Sequence, residues 1–135
     1  MPKGEVVVEL KAKETTTTIK GITPAGIRLE VNLKGEVNGK FNAAHLETLG
    51  VLQKPDGTRE WEAKAIEVTR EGDSVIVVMK GSARQDSRMV VRFEGEVTFQ
   101  TASKKLAWLN TTKGWIEGTN DMSTGEVAGK VYARD

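Results

Sequence analysis

The sequence contains no cysteine and only one histidine, His45, among its 135 residues. The absence of cysteine excludes disulfides, thiolate metal sites and a cysteine nucleophile. A single histidine excludes a histidine-rich metal site, and any triad built on a serine nucleophile would need His45 itself. The chain also has no Walker loop, no dinucleotide-binding glycine pattern after a strand and no zinc-ligand spacing. We therefore expect neither a metal nor a cofactor.

Neither sign of charge is in excess, since 20 basic residues face 19 acidic ones and the net charge is +1. This balance gives no support to nucleic acid or an anionic membrane as a partner. No apolar run is long enough to span a membrane, and the first ten residues lack the apolar core of a signal peptide. We therefore expect a cytoplasmic protein that binds neither nucleic acid nor a membrane.

Alternation of apolar and polar residues is the dominant pattern, which is typical of half-buried β-strands. It covers residues 5–13, 27–34, 58–69, 89–101, 106–118 and 126–134. Pro55-Asp56-Gly57 predicts a tight turn, and residues 40–52 are the least strand-like part, either a short helix or an irregular covering segment. With 14 glycines and hairpin-length connections, the chain is predicted to be one all-β domain over residues 1–135, an antiparallel β-barrel of about eight strands.

Residues 75–79 form a continuous apolar run instead of an alternating one. Such a run belongs to a strand that is buried on both faces or lies at a subunit contact. A homo-oligomer is therefore a possible state of the protein.

The strand predicted at 58–69 carries charged residues at positions that its own alternation would bury. If Ile66 and Val68 face the core, counting back by two places Lys64 and Glu62 on the same inward face, while Trp61 points away. Buried charges are costly unless they are paired or meet water or a ligand. Glu62 and Lys64 are thus our candidate catalytic pair, and an internal salt bridge or an exposed pair after a β-bulge is the alternative.

Short motifs at 23–28 (TPAGIR), 54–58 (KPDGT), 62–64 (EAK) and 99–110 (FQTASKKLAWLN) follow one another along the chain. In this order they resemble the uncharacterised β-barrel family called domain of unknown function 3237. The resemblance implies an antiparallel barrel similar to allene-oxide-cyclase-like and calycin-like barrels, and it places an acid and a base at Glu62 and Lys64. It implies no particular activity, because members of the family are mostly unassigned.

The chain departs from the family pattern at positions that bear on a ligand. Leu49 and Gly50 stand where the family has an Asp-Trp pair, and Lys64 stands where it has arginine. If the family pocket uses that Asp and Trp, the resemblance implies a changed ligand or a lost activity.

Five further residues are candidates for ligand binding. Arg28 matches the family motif and could neutralise an anion, although strict alternation places it on the polar outer face. His45 is the only side chain that ordinarily titrates near neutral pH, and it could equally be a surface or capping residue. Trp108, Trp115 and Tyr132 could line a ligand cavity or simply fill the ends of the barrel.

The leading functional prediction is a protein that binds a small organic molecule in the barrel or its mouth. One alternative is a cofactor-free isomerase, cyclase or lyase in which Glu62 acts as general base and Lys64 holds a substrate carboxylate or enolate. Another is a structural or oligomer-forming barrel without catalysis.

Overall fold

The computed structural model describes residues 3–134 and is a closed barrel of eight antiparallel β-strands. Each strand pairs with the next along the chain, and the last pairs back with the first to close the barrel. The predicted all-β barrel is therefore confirmed. The elements are β1 (Lys3–Thr23), β2 (Gly26–Gly39), β3 (Ala43–Gln53), β4 (Thr58–Thr69), β5 (Ser74–Gln85), β6 (Val90–Thr101), a 3₁₀ helix (Ala107–Thr111), β7 (Lys113–Asp121) and β8 (Glu126–Arg134).

The long first strand follows the curvature of the barrel through irregularities in its pairing. Its register with β8 shifts between Lys3 and Val8, and its register with β2 shifts between Glu14 and Thr16 and between Ile19 and Gly21. Such bulges add local twist and let a strand change direction. As a result the consecutive residues Val7 and Val8 are both buried, whereas Val6 is exposed.

The two ends of the barrel differ. One end carries the connection between β6 and β7, in which Leu106 and Leu109 are buried in the same core cluster as the strands. Asn110 fixes this connection by accepting a hydrogen bond from the Thr101 backbone N–H (2.8 Å) and donating one to the Thr101 carbonyl (3.0 Å). This covered end is called the closed end below. The other end, with the turns β1–β2, β3–β4, β5–β6 and β7–β8, is called the open end.

Two sequence-based predictions of local structure are wrong. Residues 40–52 are mostly strand β3, with His45 and Glu47 buried and Leu46 exposed. The alternation was hidden there because apolar side chains occur on both faces of the strand. Residues 106–118 are not one strand either, because the 3₁₀ helix precedes β7. Within residues 3–134 no helix is long and apolar enough to cross a membrane.

The turn between β3 and β4 fixes the register of the hairpin that carries the functional site. The Lys54 and Thr58 backbones are joined by a hydrogen bond of 2.9 Å, and Gly57 adopts a φ of 88°, which favours glycine. The tight turn predicted at Pro55-Asp56-Gly57 is thus confirmed. Counting outward from it, Gln53 pairs with Arg59 and, eight steps further, His45 pairs with Glu67.

The outer face of β3, β4 and β5 exposes a group of large apolar side chains. Leu46, Ile66 and Ile76 are direct cross-strand neighbours, and Val68 and Val78 flank them on adjacent rows. Each is between 42% and 59% exposed. These five residues are called the outer apolar patch below. The apolar run at 75–79 therefore alternates, with Val75, Val77 and Met79 inside the barrel and the other two outside.

Candidate functional site

The barrel encloses a cavity of about 300 Å³. Side chains from all eight strands line it, and most are apolar, among them Leu33, Leu49, Met79, Ile116 and Val127. The lining continues to residues next to the open-end turns. Its size lies at the lower limit for small-molecule sites, and an apolar wall with few polar groups is typical of them.

Two aromatic rings shape the wall, and glycines on other strands make room for them. Trp61 and Phe93 pack edge to face, with their ring centroids 5.9 Å apart. The Trp61 indole N–H donates a hydrogen bond of 3.0 Å to the Ser82 carbonyl. A Cβ added to Gly95 would lie 2.8 Å from Trp61 Cζ2, and one added to Gly118 would lie 2.5 Å from Phe93 Cζ. Larger residues at these positions would displace the rings.

A carboxylate forms part of the cavity lining deep inside the barrel. Glu47 lines the cavity, and its Oε1 lies 2.7 Å from Nε2 of His45. The other ring nitrogen of His45, Nδ1, lies 2.7 Å from Oε2 of Glu67. The three residues are between 3% and 5% exposed. Glu47, His45 and Glu67 therefore form a buried chain of two short hydrogen bonds, called the Glu-His-Glu chain below.

The ring of His45 carries a proton on each nitrogen at neutral pH. Burial alone would lower the pKa of His45, but the hydrogen bonds and negative charges of Glu47 and Glu67 outweigh it and raise that pKa to about 9. Both ring N–H groups then donate to carboxylates, which are the stronger kind of hydrogen bond.

The buried polar groups are not all satisfied. Within residues 3–134, Glu67 Oε1 and Asn120 Oδ1 are buried without a hydrogen-bond partner. An unpaired buried acceptor costs about 1–3 kcal/mol. A core selected only for stability would avoid such groups, since apolar side chains of similar volume are often as stable as a buried ion pair or more so. Of the two residues, Asn120 lines the cavity, and Glu67 lies behind it, bonded to His45.

The open end of the cavity carries a second set of polar side chains. Asn120 Nδ2 donates a hydrogen bond of 3.1 Å to Glu14 Oε1, and the Thr17 hydroxyl donates one of 3.3 Å to Glu14 Oε2. Arg59, on β4, also lines the cavity, and partial burial lowers the pKa of its guanidinium. Among residues 3–134, no carboxylate lies within 4.0 Å of a nitrogen of Arg59. Arg59 donates one hydrogen bond of 3.3 Å to the Gly57 carbonyl and has no counter-ion among these residues.

The predicted inward orientation of Glu62 and Lys64 is wrong. Both side chains are on the exposed outer face of β4, whereas Trp61, Ala63 and Ala65 are buried inside the barrel. The prediction took Ile66 and Val68 as core residues, but both belong to the outer apolar patch. The inward side of β4 is instead formed by Trp61, by the small residues Ala63 and Ala65, and by Glu67, which is hydrogen-bonded to His45.

The other predicted site residues are divided between the two faces of the barrel. His45 is inside, one hydrogen bond behind the cavity wall. Arg28 is exposed on the outer face, as strict alternation predicts. Trp115 and Tyr132 are half-buried cross-strand neighbours outside the barrel, with the Arg134 guanidinium carbon 5.7 Å from the Trp115 ring centroid. Trp108, in the 3₁₀ helix, is 38% exposed. The residues that line the described cavity do not include Arg28, Trp108, Trp115 or Tyr132.

Sequence reasoning missed Glu47, Glu67 and Arg59 as site residues. The signal that could have found them is the hairpin register, because the turn at Pro55-Asp56-Gly57 fixes which residues of β3 and β4 face each other. With β3 recognised as a strand, His45 and Glu47 share one face two residues apart, and Glu67 lies directly across from His45.

Comparison with solved structures gives several chains with the same fold. A protein of unknown function from Clostridium acetobutylicum is 19% identical with a TM-score of 0.87, and all of each chain is covered. A beta-barrel like protein from Acinetobacter baumannii is 17% identical with a TM-score of 0.84, covering 96% of this chain and 93% of the other. An enzyme from Penicillium herquei is 21% identical with a TM-score of 0.66, covering 98% of each chain. At these identities the likeness shows the fold alone.

Comparisons with models of known protein families and with curated proteins found no match. The resemblance to domain of unknown function 3237 therefore stays a prediction. The similar structures thus include a protein of unknown function, a beta-barrel like protein and an enzyme.

Proposed function

We propose that the protein binds a small, largely apolar organic acid inside the barrel. The observation that carries this proposal is the cavity of about 300 Å³, which has apolar walls and extends to Arg59 near the open end. Apolar walls favour an apolar ligand body, because burying apolar surface contributes about 25 cal/mol per Å². The few polar groups then determine how the ligand is oriented.

Arg59 supports an acidic group on the ligand. Its guanidinium is half-buried and has no carboxylate partner among the described residues, so it is only partly hydrated and not neutralised. A ligand carboxylate can accept two parallel hydrogen bonds from a guanidinium, a geometry that lysine cannot offer. Glu14, close to the same end, would repel a second negative charge and accept a hydrogen bond from a ligand hydroxyl. A monocarboxylate therefore fits better than a dianion.

The proposal is tested with two probes that differ only at their polar end, decanoic acid and decan-1-ol. Their affinities are measured by displacement of a fluorescent naphthalene sulfonate at pH 7. We expect the acid to bind about tenfold more tightly, because a charge-assisted hydrogen bond contributes about 1.5–3 kcal/mol. Arg59→Gln should remove the difference, and Arg28→Gln, the matched change on the outer face, should preserve it.

A second variant tests whether the cavity itself is the binding site. Ala83 is half-buried in the cavity wall, and Ala83→Trp would fill much of the space beside it. We expect Ala83→Trp to weaken the binding of both probes while the circular dichroism spectrum stays unchanged. Equal binding by the wild type and a folded Ala83→Trp variant would place the ligand elsewhere and refute the proposal.

A further inference from the structure

The Glu-His-Glu chain is not needed to explain ligand binding, and it is built in a way that suits proton transfer. Glu47 presents a carboxylate to the cavity, while its Oε1 is held by His45 Nε2 at 2.7 Å. Glu67 in turn holds the opposite side of the ring at 2.7 Å, which fixes the orientation of His45. A carboxylate held in place at the wall of a largely apolar cavity has the geometry of a general base.

We propose that Glu47 moves a proton on an enolisable carbonyl compound bound in the cavity, and that the protein is a cofactor-independent isomerase. This inference rests on the proposed function, because the substrate must bind in the same cavity. Glu47 is the catalytic residue, since it alone of the three lines the cavity. His45 and Glu67 are positioning residues.

The reaction is balanced within the substrate and Glu47. The carboxylate of Glu47 takes a proton from the carbon beside the carbonyl group, so a C–H bond breaks and an O–H bond forms on Glu47. The C–H electron pair becomes a C=C bond, and the carbonyl π pair moves to oxygen to give an enolate. When a C=C bond lies next to the acidic C–H group, the negative charge of the enolate extends over that bond, and Glu47 returns the proton on the same face to its far carbon. The product is an isomer, and no oxidant, reductant or second substrate is needed.

His45 and Glu67 orient the carboxyl group of Glu47. When Glu47 accepts the proton, the negative charge moves from its carboxylate to the enolate, so the net charge of the site does not change. His45, one hydrogen bond behind Glu47, holds the carboxyl group in place during this transfer. Glu67 keeps the His45 ring in place by accepting the second ring N–H. The surrounding apolar walls strengthen both hydrogen bonds, because they exclude water.

The two ends of the site also indicate the length of the substrate. Glu47 and Gln53, the cross-strand partner of Arg59, are six residues apart on β3, which is roughly 20 Å of extended chain. The side chains of Glu47 and Arg59 both extend into the cavity between these two positions. A substrate whose carboxylate and activated C–H group are on the order of 10 Å apart can therefore contact Arg59 with its carboxylate and Glu47 with its C–H group. A medium-chain oxo acid such as 9-oxodecanoic acid has this spacing.

The test measures hydrogen exchange at the carbon beside the carbonyl group. The protein is incubated in D₂O with 9-oxodecanoic acid or with decan-2-one, and deuterium uptake is followed by mass spectrometry. The binding of each probe is measured separately by displacement of the fluorescent sulfonate. We expect exchange well above the buffer rate, faster for the oxo acid. Probes that bind without exchanging would overturn the proton-transfer proposal and leave the binding proposal standing; probes that do not bind would overturn both.

Variants separate the roles of the three residues. Glu47→Gln should reduce exchange at least 100-fold while the oxo acid still binds, and Glu62→Gln, a matched change on the outer face, should have no effect. Glu47→Asp keeps the charge and withdraws the carboxylate from the cavity, so it should also lose exchange and serves as a check if Glu47→Gln folds poorly. Full exchange in a folded Glu47→Gln or Glu47→Asp variant would refute the proposal.

Glu67→Gln tests the positioning role. It should slow exchange about tenfold at saturating probe, leave the affinity for the probe unchanged, and alter the ¹⁵N resonances of the His45 ring. If Glu67 had only a structural role, Glu67→Gln would lower the stability of the protein, and the exchange rate would not fall while the affinity for the probe stayed the same. Unchanged exchange in this variant would remove Glu67 and its hydrogen bond to His45 from the mechanism.

Discussion

The protonation state of His45 makes a quantitative prediction about stability. The pKa of His45 is raised from 6.5 to about 9, because the two glutamates stabilise the imidazolium more than burial destabilises it. The folded protein therefore holds this proton more tightly than the unfolded chain does. The resulting stabilisation is complete below pH 6.5 and disappears as the pH rises through about 9. At 1.36 kcal/mol per pH unit it amounts to about 3 kcal/mol.

Two measurements test this prediction. His45 is the only histidine in the chain, so its ring resonances in an NMR titration need no assignment by mutation. Urea unfolding at pH 6.5, 8 and 9.5 gives the free energy of unfolding across the same range. We expect a midpoint near pH 9 and a fall of about 3 kcal/mol, a large part of the 5–15 kcal/mol typical of a small domain.

The control is His45→Gln, which has no titrating ring. Its free energy of unfolding should change little between pH 6.5 and 9.5, so that the difference between the two proteins isolates the histidine. A wild-type midpoint at or below 6.5, or an equally steep fall in His45→Gln, would refute the assignment of an imidazolium to the Glu-His-Glu chain.

Two further predictions concern packing and association. Gly81→Ala should destabilise the barrel by about 1–3 kcal/mol, because the added Cβ would overlap the Glu94 carbonyl oxygen. Gly50→Ala is the control, because there is open space at its Cβ position. It should change the free energy of unfolding by no more than about 0.5 kcal/mol, as measured by thermal unfolding. The outer apolar patch predicts weak self-association. If two copies each half-bury the five side chains of the patch, the burial of apolar surface contributes on the order of 10 kcal/mol. This gain is comparable with the loss of translational and rotational freedom on association, which costs about 4–15 kcal/mol. Sedimentation velocity should detect a dimer that Ile66→Lys abolishes and that Ile22→Lys, a change outside the patch, preserves; a wild-type monomer at high concentration would contradict the prediction.

The barrel was predictable because alternation repeats along most of the chain and turns separate the strands. The alternating stretch at 27–34 falls wholly within β2. The sequence Pro55-Asp56-Gly57 is typical of a tight turn, and it forms the turn between β3 and β4. These signals are local, so neighbouring residues are enough to specify them.

The site was less predictable, because its residues break the rule that apolar side chains lie inside. On β4, Ile66 faces solvent and Glu67 faces the interior. The burial of Glu67 is tolerated only because His45, on the neighbouring strand, lies directly across from it. Such compensation between strands is invisible to a pattern read along one strand. His45 was recognised as a candidate from its chemistry alone, whereas its two partners were not.

The closure of the barrel has a consequence for how the chain folds. Over residues 3–134, seven of the eight strand pairs join neighbours in sequence, and only β1 with β8 joins distant segments. Local hairpins can therefore form early, and ring closure is the step that carries most of the chain-entropy cost. Until it occurs, β1 and β8 are two open sheet edges that can pair with other chains. Charged side chains interrupt both edges, namely Glu9, Lys11 and Lys13 on β1 and Glu126 and Lys130 on β8. Across the closed seam Glu9 and Lys130 lie 3.5 Å apart, so the charges that discourage association before closure favour the correct pairing once it forms.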